Sequence, residues 1–265
     1  MSTHRLYASA DSVGQHSSLT VSIATGTDEI RETLRLRYEV FVKEMRANYR
    51  RCANDIEQDE FDQHCRHIIV RDDATGEVVG SRRLLLQDDA GLAGMFFTET
   101  EFELEHILKL PGRFMEIGRH CIHADYRNGE VLRLLWAAIA QQMQAHDIDH
   151  LLACVSLPMD KDGVCASALI AQLPDRHFTP KHLRATPRLP LPMDGAPITL
   201  PLARPASLTA YLRIGALICG DVCWNPVFDC ADVPMLVHRS QLAPRHARQI
   251  QRQCNRLASA VAGGV

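Results

Sequence analysis

The sequence predicts an α/β fold built on a mixed sheet, and three stretches of the chain carry that prediction. The first is Phe114 to Ile122, a strand pattern, followed by the turn Asp125-Tyr126-Arg127-Asn128-Gly129. An apolar helix around Trp136 then runs from Glu130 to about His146, and a buried strand, Leu151 to Leu157, follows the break at 147–150. Strand, turn, helix, strand is a crossover unit of a mixed sheet. The second stretch pairs His67–Arg71 with Glu77–Gln87 about the turn Ala74-Thr75-Gly76, a hairpin. The third starts at Thr27-Asp28, where Ile30, Leu34, Tyr38, Phe41 and Met45 recur at helical spacing and make one apolar face.

The other elements fill in around these. Residues 1 to 18 are polar and Ser-rich and read as a loose tail. A polar stretch holding Arg46, Arg50, Arg51 and Asn54 leads from the first helix to an acidic cluster at 57–62. Prolines are dense between Pro174 and Pro205, which predicts an extended connection. A helix near Ser207–Ile214, short strands near Leu217–Cys223 and Val233–His238, and a terminal helix from about Arg245 complete the chain. The expected organisation is a tail (1–18), one domain (19–240), and a basic C-terminal helix and tail (241–265).

Composition excludes several classes. The chain has 265 residues, 46% hydrophobic and 23% charged, which fits a folded domain rather than a disordered or fibrous chain. A net charge of -3 gives no nucleic-acid signal, so no nucleic-acid partner is expected. The charge is uneven, because 244–256 carries four arginines and no carboxylate. That segment reads as a solvated basic helix or as a surface for acidic partners or lipid headgroups. Nine cysteines without a paired CxxC framework read as reduced, buried small hydrophobes of a cytosolic protein, with no metal site expected. The N-terminus has no apolar h-region, and no stretch nears the roughly 18 apolar residues of a membrane span.

Charged residues with the potential for chemistry are scattered through the first half. The turn Arg127-Asn128-Gly129 opens a helix, whose first N–H groups are unpaired and carry partial positive charge, so an anion can sit there. The same residues also read as an ordinary turn before a core helix. The run Glu57-Gln58-Asp59-Glu60-Phe61-Asp62 read alone is a solvated acidic loop. Its meaning changes beside Arg37-Tyr38-Glu39-Val40-Phe41, Gly80-Ser81-Arg82-Arg83 and Glu116-Ile117-Gly118-Arg119, which occur in order on elements of suitable type.

That set resembles the signature of the acyl-homoserine-lactone synthases, the N-acyl amino acid synthases and the ornithine N-acyltransferases. In the lactone synthases an R-x-x-V-F segment, an E-x-D-x-x-D cluster, a G-x-x-R strand and an E-x-x-R strand build one site. The chain looks closest to the ornithine N-acyltransferases over roughly 25–250. The segments carrying that likeness are 59–65, Glu116 to Cys121 with Tyr126-Arg127 and the Leu134-Leu135-Trp136 helix, and Tyr211 to Ala216 running on to Asp232-Val233.

The resemblance implies a GNAT-like fold, mostly antiparallel, with a C-terminal extension. It implies transfer of a (3-hydroxy)acyl chain from acyl carrier protein to the α-amine of ornithine, the first step toward ornithine lipids. Acyl-ACP is then a co-substrate, with no tightly bound cofactor, and the location is cytoplasmic with contact to a membrane surface. It also assigns roles. Glu57 or Glu116 takes the amine proton, Asp59 and Asp62 hold the cationic amino acid, Arg37 organises the acidic cluster, Phe41 is a substrate-binding residue, and Arg83 and Arg119 shape the site or hold the substrate carboxylate. Arg127, Asn128 and Gly129 are a reduced form of the usual carrier loop Gln/Arg-x-x-Gly-x-Gly/Ala, which favours one phosphopantetheine phosphate over coenzyme A. An acidic carrier protein would dock on Arg46, Arg50 and Arg51 or on the terminal helix. Direct transfer needs no acyl-thiol intermediate on Cys65 or Cys121. The readings that remain beside this one are an N-acyl amino acid or lactone synthase with another acceptor, and a non-catalytic GNAT-like binding module.

Overall fold

A computed structural model describes residues 5–6, 18–48, 52, 54–159, 163–191 and 202–241. Arg50, Arg51 and the expected helix from Arg245 lie outside the described residues. In chain order the strands and helices are β1 (Arg5–Leu6), β2 (Leu19–Ile23), α1 (Thr27–Arg37), β3 (Arg66–Asp72), β4 (Val78–Leu86), α2 (Gln87–Ala93), β5 (Phe102–Glu103), α3 (Glu105–Leu108), β6 (Phe114–Ile122), α4 (Glu130–Ala145), β7 (His150–Pro158), α5 (Val164–Ala171), β8 (Thr186–Pro187), α6 (Ala206–Ile214), β9 (Leu217–Ile218), β10 (Cys223–Asn225) and β11 (Cys230–His238). The chain forms two compact units. The first takes Met1–Leu85 and Ile117–Asp147, and the second takes Leu86–Glu116 and Ile148–Ala243.

The first unit is an antiparallel meander with helices on both faces. β1 pairs β2, β2 pairs β3 and β3 pairs β4, all antiparallel, and β6 lies next to β4. The expected hairpin turn is present: the Asp72 carboxylate accepts from Ala74 N, and Gly76 sits at φ 75, a conformation that suits glycine. Successive β4 residues point to opposite faces. Gly80 meets α4 so closely that a Cβ there would strike Val131, and Arg82 lies 5.3 Å from the Trp136 ring of the same helix. Arg83 points to the face covered by α1. This explains the glycine of the G-x-x-R segment: it lets α4 approach the sheet.

The first helix departs from its expected course after Arg37. Residues Tyr38–Glu44 wind as a π-helix, with Met45 N donating to Val40 O at 2.9 Å and Ala47 N to Phe41 O at 2.8 Å. The wider turn breaks the 3.6-residue spacing. Leu34 and Phe41 are buried as the pattern requires, but Met45 is 54% exposed. A π-turn inside a helix is rare and often marks a functional segment.

In the second unit β7, β11 and β10 pair antiparallel in that order, with β9 pairing β11 as well. β5 and β8 make a separate two-stranded ladder. The strand from Leu19, the helix α5 and the helix α2 had no sequence signal strong enough to predict them. The proline-dense connection carries the short strand β8 and is otherwise irregular where described, with short 3₁₀ turns at Asp175–His177 and Lys181–Leu183. Among the described residues no helix is long and apolar enough to cross a membrane.

Candidate functional site

In the first unit three arginines and three carboxylates interlock. Arg37, the last residue of α1, has no exposed surface, and neither has Glu57. Its guanidinium pairs with Glu57 through Nε and with Asp62 through two prongs, Nη1 to Oδ1 at 2.6 Å and Nη2 to Oδ2 at 3.1 Å. Arg83 Nη1 reaches Asp59 Oδ1 and, at 3.0 Å, Asp62 Oδ1. Arg119 Nη2 donates to Asp59 Oδ2 at 2.7 Å, and its Nε lies 3.4 Å from Glu57 Oε1. The Asp59–Asp62 turn is closed by its own side chains, since Asp62 Oδ2 accepts from Asp59 N at 2.8 Å and Asp59 Oδ1 from Phe61 N at 3.0 Å. Arg119 sits at φ 48, a left-handed conformation inside β6. Non-glycine residues hold such a backbone only where the surroundings fix it, and the pairs to Asp59 and Glu57 do so here.

The electrostatics follow from the pairing. Burial alone would raise the Asp62 carboxyl, but the charges of Arg37 and Arg83 and their hydrogen bonds outweigh it and hold the group well below the usual carboxylate range. Burial would lower Arg37, yet Asp62 and Glu57 raise it; for Arg83, Asp59 and Asp62 do the same. His67 lies beneath, its Nε2 3.4 Å from Asp62 O. Burial, then the Arg37 and Arg83 charges, lower its pKa against the pull of Asp62. His67 carried no signal in the sequence beyond its place opposite Arg83 in the hairpin register.

Glu116 belongs to the second unit and is held differently. Its carboxylate accepts from Phe97 N and Thr98 N, both at 2.7 Å, and from the Thr98 hydroxyl. The residue is 5% exposed. Phe97 and Thr98 stand on the 3₁₀ turn Phe97–Thr100, which no periodicity in the sequence marked.

The carrier-loop residues are placed but engaged. Gly129, at φ 93, is the entry to α4, and Asn128 Oδ1 accepts from Glu130 N at 3.0 Å. Arg127 spends its guanidinium on Glu44, at 2.5 and 2.6 Å, and its Nε on Ile122 O. Hydrogen bonding to Arg127 lowers Glu44 in turn. The phosphate-binding role expected of Arg127 therefore needs Glu44 to give way. Phe41 is buried in the π-helix, where it packs rather than lines a surface. Cys121 is buried too, its thiol donating to Leu36 O at 3.4 Å, and burial pushes its pKa up. A thiol so held is a poor nucleophile.

The structure thus joins Arg37, Glu57, Asp59, Asp62, Arg83 and Arg119 in one network and sets Glu116 in a second. Asp59, expected to hold a cationic substrate, pairs with Arg83 and Arg119, and Asp62, expected to do the same, pairs with Arg37 and Arg83, so an ammonium group there would compete with guanidinium groups. Glu57, expected with Glu116 as a candidate base, has no exposed surface and is held by Arg37.

With the geometry in place, similarity to known proteins becomes informative. Residues 36–137 match the acetyltransferase (GNAT) domain family. The chain is 31% identical over 245 residues to the L-ornithine N(alpha)-acyltransferase of Rhodobacter capsulatus, covering 86% of this chain and 93% of the relative. It is 30% identical over 274 residues to the L-ornithine N(alpha)-acyltransferase of Rhizobium meliloti, covering 95% and 90%. The crystal structure of the AHL synthase LasI superposes with a TM-score of 0.52 at 15% identity, covering 84% of this chain and 91% of that one, a likeness of fold. The expected α/β fold is that of a GNAT acyltransferase, and the chain belongs to the L-ornithine N(alpha)-acyltransferase family.

Proposed function

We propose that this acyltransferase moves a (3-hydroxy)acyl chain from acyl carrier protein to the α-amine of L-ornithine, the first step of ornithine lipid synthesis. The observation that carries the reading is the identity to ornithine acyltransferases over nearly the whole chain, 86% of it in one alignment and 95% in another. In the reaction the amine attacks the thioester carbonyl, the C–N bond forms, the C–S bond breaks, and the amine proton ends on the departing thiolate. Holding two substrates in line supplies up to about 7–11 kcal/mol, whereas a general base gives about 10²- to 10⁴-fold, so positioning dominates. The α-amine titrates near 8 in peptides against about 10.4 for a lysine-like amine, so it is the easier to deprotonate.

Glu116 is the proton acceptor in this reading, directly or through a water, with the Phe97 and Thr98 amides fixing its carboxylate. In the first unit the ion-pair network clamps Arg119 on β6. Arg127, Asn128 and Gly129 receive the pantetheine phosphate once Arg127 leaves Glu44. In this reading the reaction runs in the cytoplasm at the membrane surface, where an acyl carrier protein delivers the chain and the lipid product leaves. The test is incubation of the purified protein with an acyl carrier thioester and an equimolar amino acid mixture, read by mass spectrometry. Acyl-ornithine is expected. Absence of any acylated amino acid overturns the reading.

A further inference from the structure

One face of β7 differs from its opposite. Leu151, Ala153, Val155 and Leu157 are buried, whereas Cys154 is half-buried and Ser156 is exposed. Antiparallel β11 sets Asp232 opposite Ser156, and β10 sets Cys223 opposite Asp232 and Asn225 opposite Cys230. These side chains share a face. Ser156 Oγ donates to Asp232 Oδ1 at 2.6 Å. Asn225 Nδ2 donates to Asp232 Oδ2 at 2.8 Å and to Glu101 Oε1 at 3.0 Å. Cys230 Sγ lies 3.7 Å from Asp232 Oδ1. The Thr98 hydroxyl that donates to Glu116 is 3.8 Å from Cys154 Sγ. Burial first, then Glu101, Asp232 and Glu116, raise the Cys154 thiol well above its ordinary value, so the proton-accepting Glu116 shares this neighbourhood.

Asp232 is 4% exposed, and its hydrogen-bond partners among the described residues are all neutral: a hydroxyl, an amide and a thiol. Glu57, Asp59 and Asp62 of the first unit, by contrast, each meet a guanidinium. A buried carboxylate with neutral partners is costly in a resting fold and well suited to receive a cation. Ser156, the donor open to water, marks the approach. Ornithine carries two amines. One must shed its proton to react, and the other stays an ammonium that needs a counter-charge.

We propose that Asp232, oriented by Ser156 and Asn225 and with Glu101 beside it, binds the side-chain ammonium of the acceptor and so selects ornithine over neutral amino acids. The assignment rests on the reading that ornithine is the acceptor, and it makes the β7–β11–β10 face the specificity surface of that reaction.

Calorimetric titration with ornithine and with norvaline, which has the same three-carbon side chain without the amine, tests it. The wild type is expected to bind ornithine at least about 10-fold more tightly than norvaline. Asp232→Asn lowers ornithine affinity by about 10- to 100-fold and leaves norvaline binding unchanged. Ser156→Ala keeps the carboxylate and retains part of the preference. Equal affinity of the wild type for both amino acids, or equal loss of both in Asp232→Asn, overturns the assignment. The wild-type comparison decides the matter even if Asp232→Asn does not fold. A binding preference without acylated product overturns the reaction alone, whereas acyl-ornithine formed without a preference overturns the ammonium site alone.

Discussion

Arg37 and Asp62 face each other as a two-pronged pair, Nη1 to Oδ1 at 2.6 Å and Nη2 to Oδ2 at 3.1 Å, and both are buried. Glu57 closes the third side of the guanidinium. Removing one partner of such a group strands the others in a medium that cannot solvate them. Arg37→Leu should therefore cost about 3–5 kcal/mol of folding stability. Urea denaturation checks this, and an unchanged midpoint would show that the network contributes nothing to the fold.

The same pair makes stability depend on pH. The folded Asp62 carboxyl lies below its unfolded value, so its contribution is complete above about pH 4 and is lost as pH falls below that. His67 acts in a higher window. Its folded pKa is also lowered, so the unfolded chain takes up the proton first, below about 6.5. The His67 contribution is present above that pH and is lost as pH drops. Melting curves from pH 7.5 to 5 should show a smaller decline in His67→Gln than in the wild type; identical slopes would contradict this.

Gly80→Ala places a methyl where Val131 of α4 already stands. Overpacking of this kind costs about 1–3 kcal/mol. Thermal denaturation of Gly80→Ala is the check, and a double variant with Val131→Ala should recover part of the loss. No recovery would mean that the contact is not the cause.

Glu57→Gln and Glu116→Gln separate support from chemistry. Glu116→Gln is expected to lower kcat by about 10²- to 10⁴-fold while the protein stays folded. Glu57→Gln should act mainly on stability, because it loosens Arg37. Steady-state kinetics beside melting curves distinguish the two, and a reversed order would return the proton-accepting role to Glu57.

These contrasts show which features the sequence makes legible. The hairpin of β3 and β4 and the β6–α4–β7 crossover follow local rules of periodicity and turn chemistry, and they fold as those rules require. The grouping of Arg37, Glu57, Asp59, Asp62, Arg83 and Arg119 rests on ordered spacing, which survives because each sits at a fixed register on its element. Met45 escapes the pattern because a π-turn adds a residue that no propensity marks. The partners of Glu116 escape it for another reason. Phe97 and Thr98 precede it by 19 and 18 positions and reach it through backbone amides, which any residue supplies. Charge balance is likewise invisible until distances are known. Read in sequence, Asp59 and Asp62 look available to a cation, and in the fold each pairs with two arginines.

The site of acylation tests the account most directly. Tandem mass spectrometry and proton NMR of the product formed from acyl carrier thioester and ornithine distinguish the α-nitrogen from the side-chain nitrogen. With Glu116 accepting the proton of the less basic amine and Asp232 holding the other as ammonium, the acyl group is predicted on the α-nitrogen. An acyl group on the side-chain nitrogen, or no acylated ornithine at all, would contradict the account.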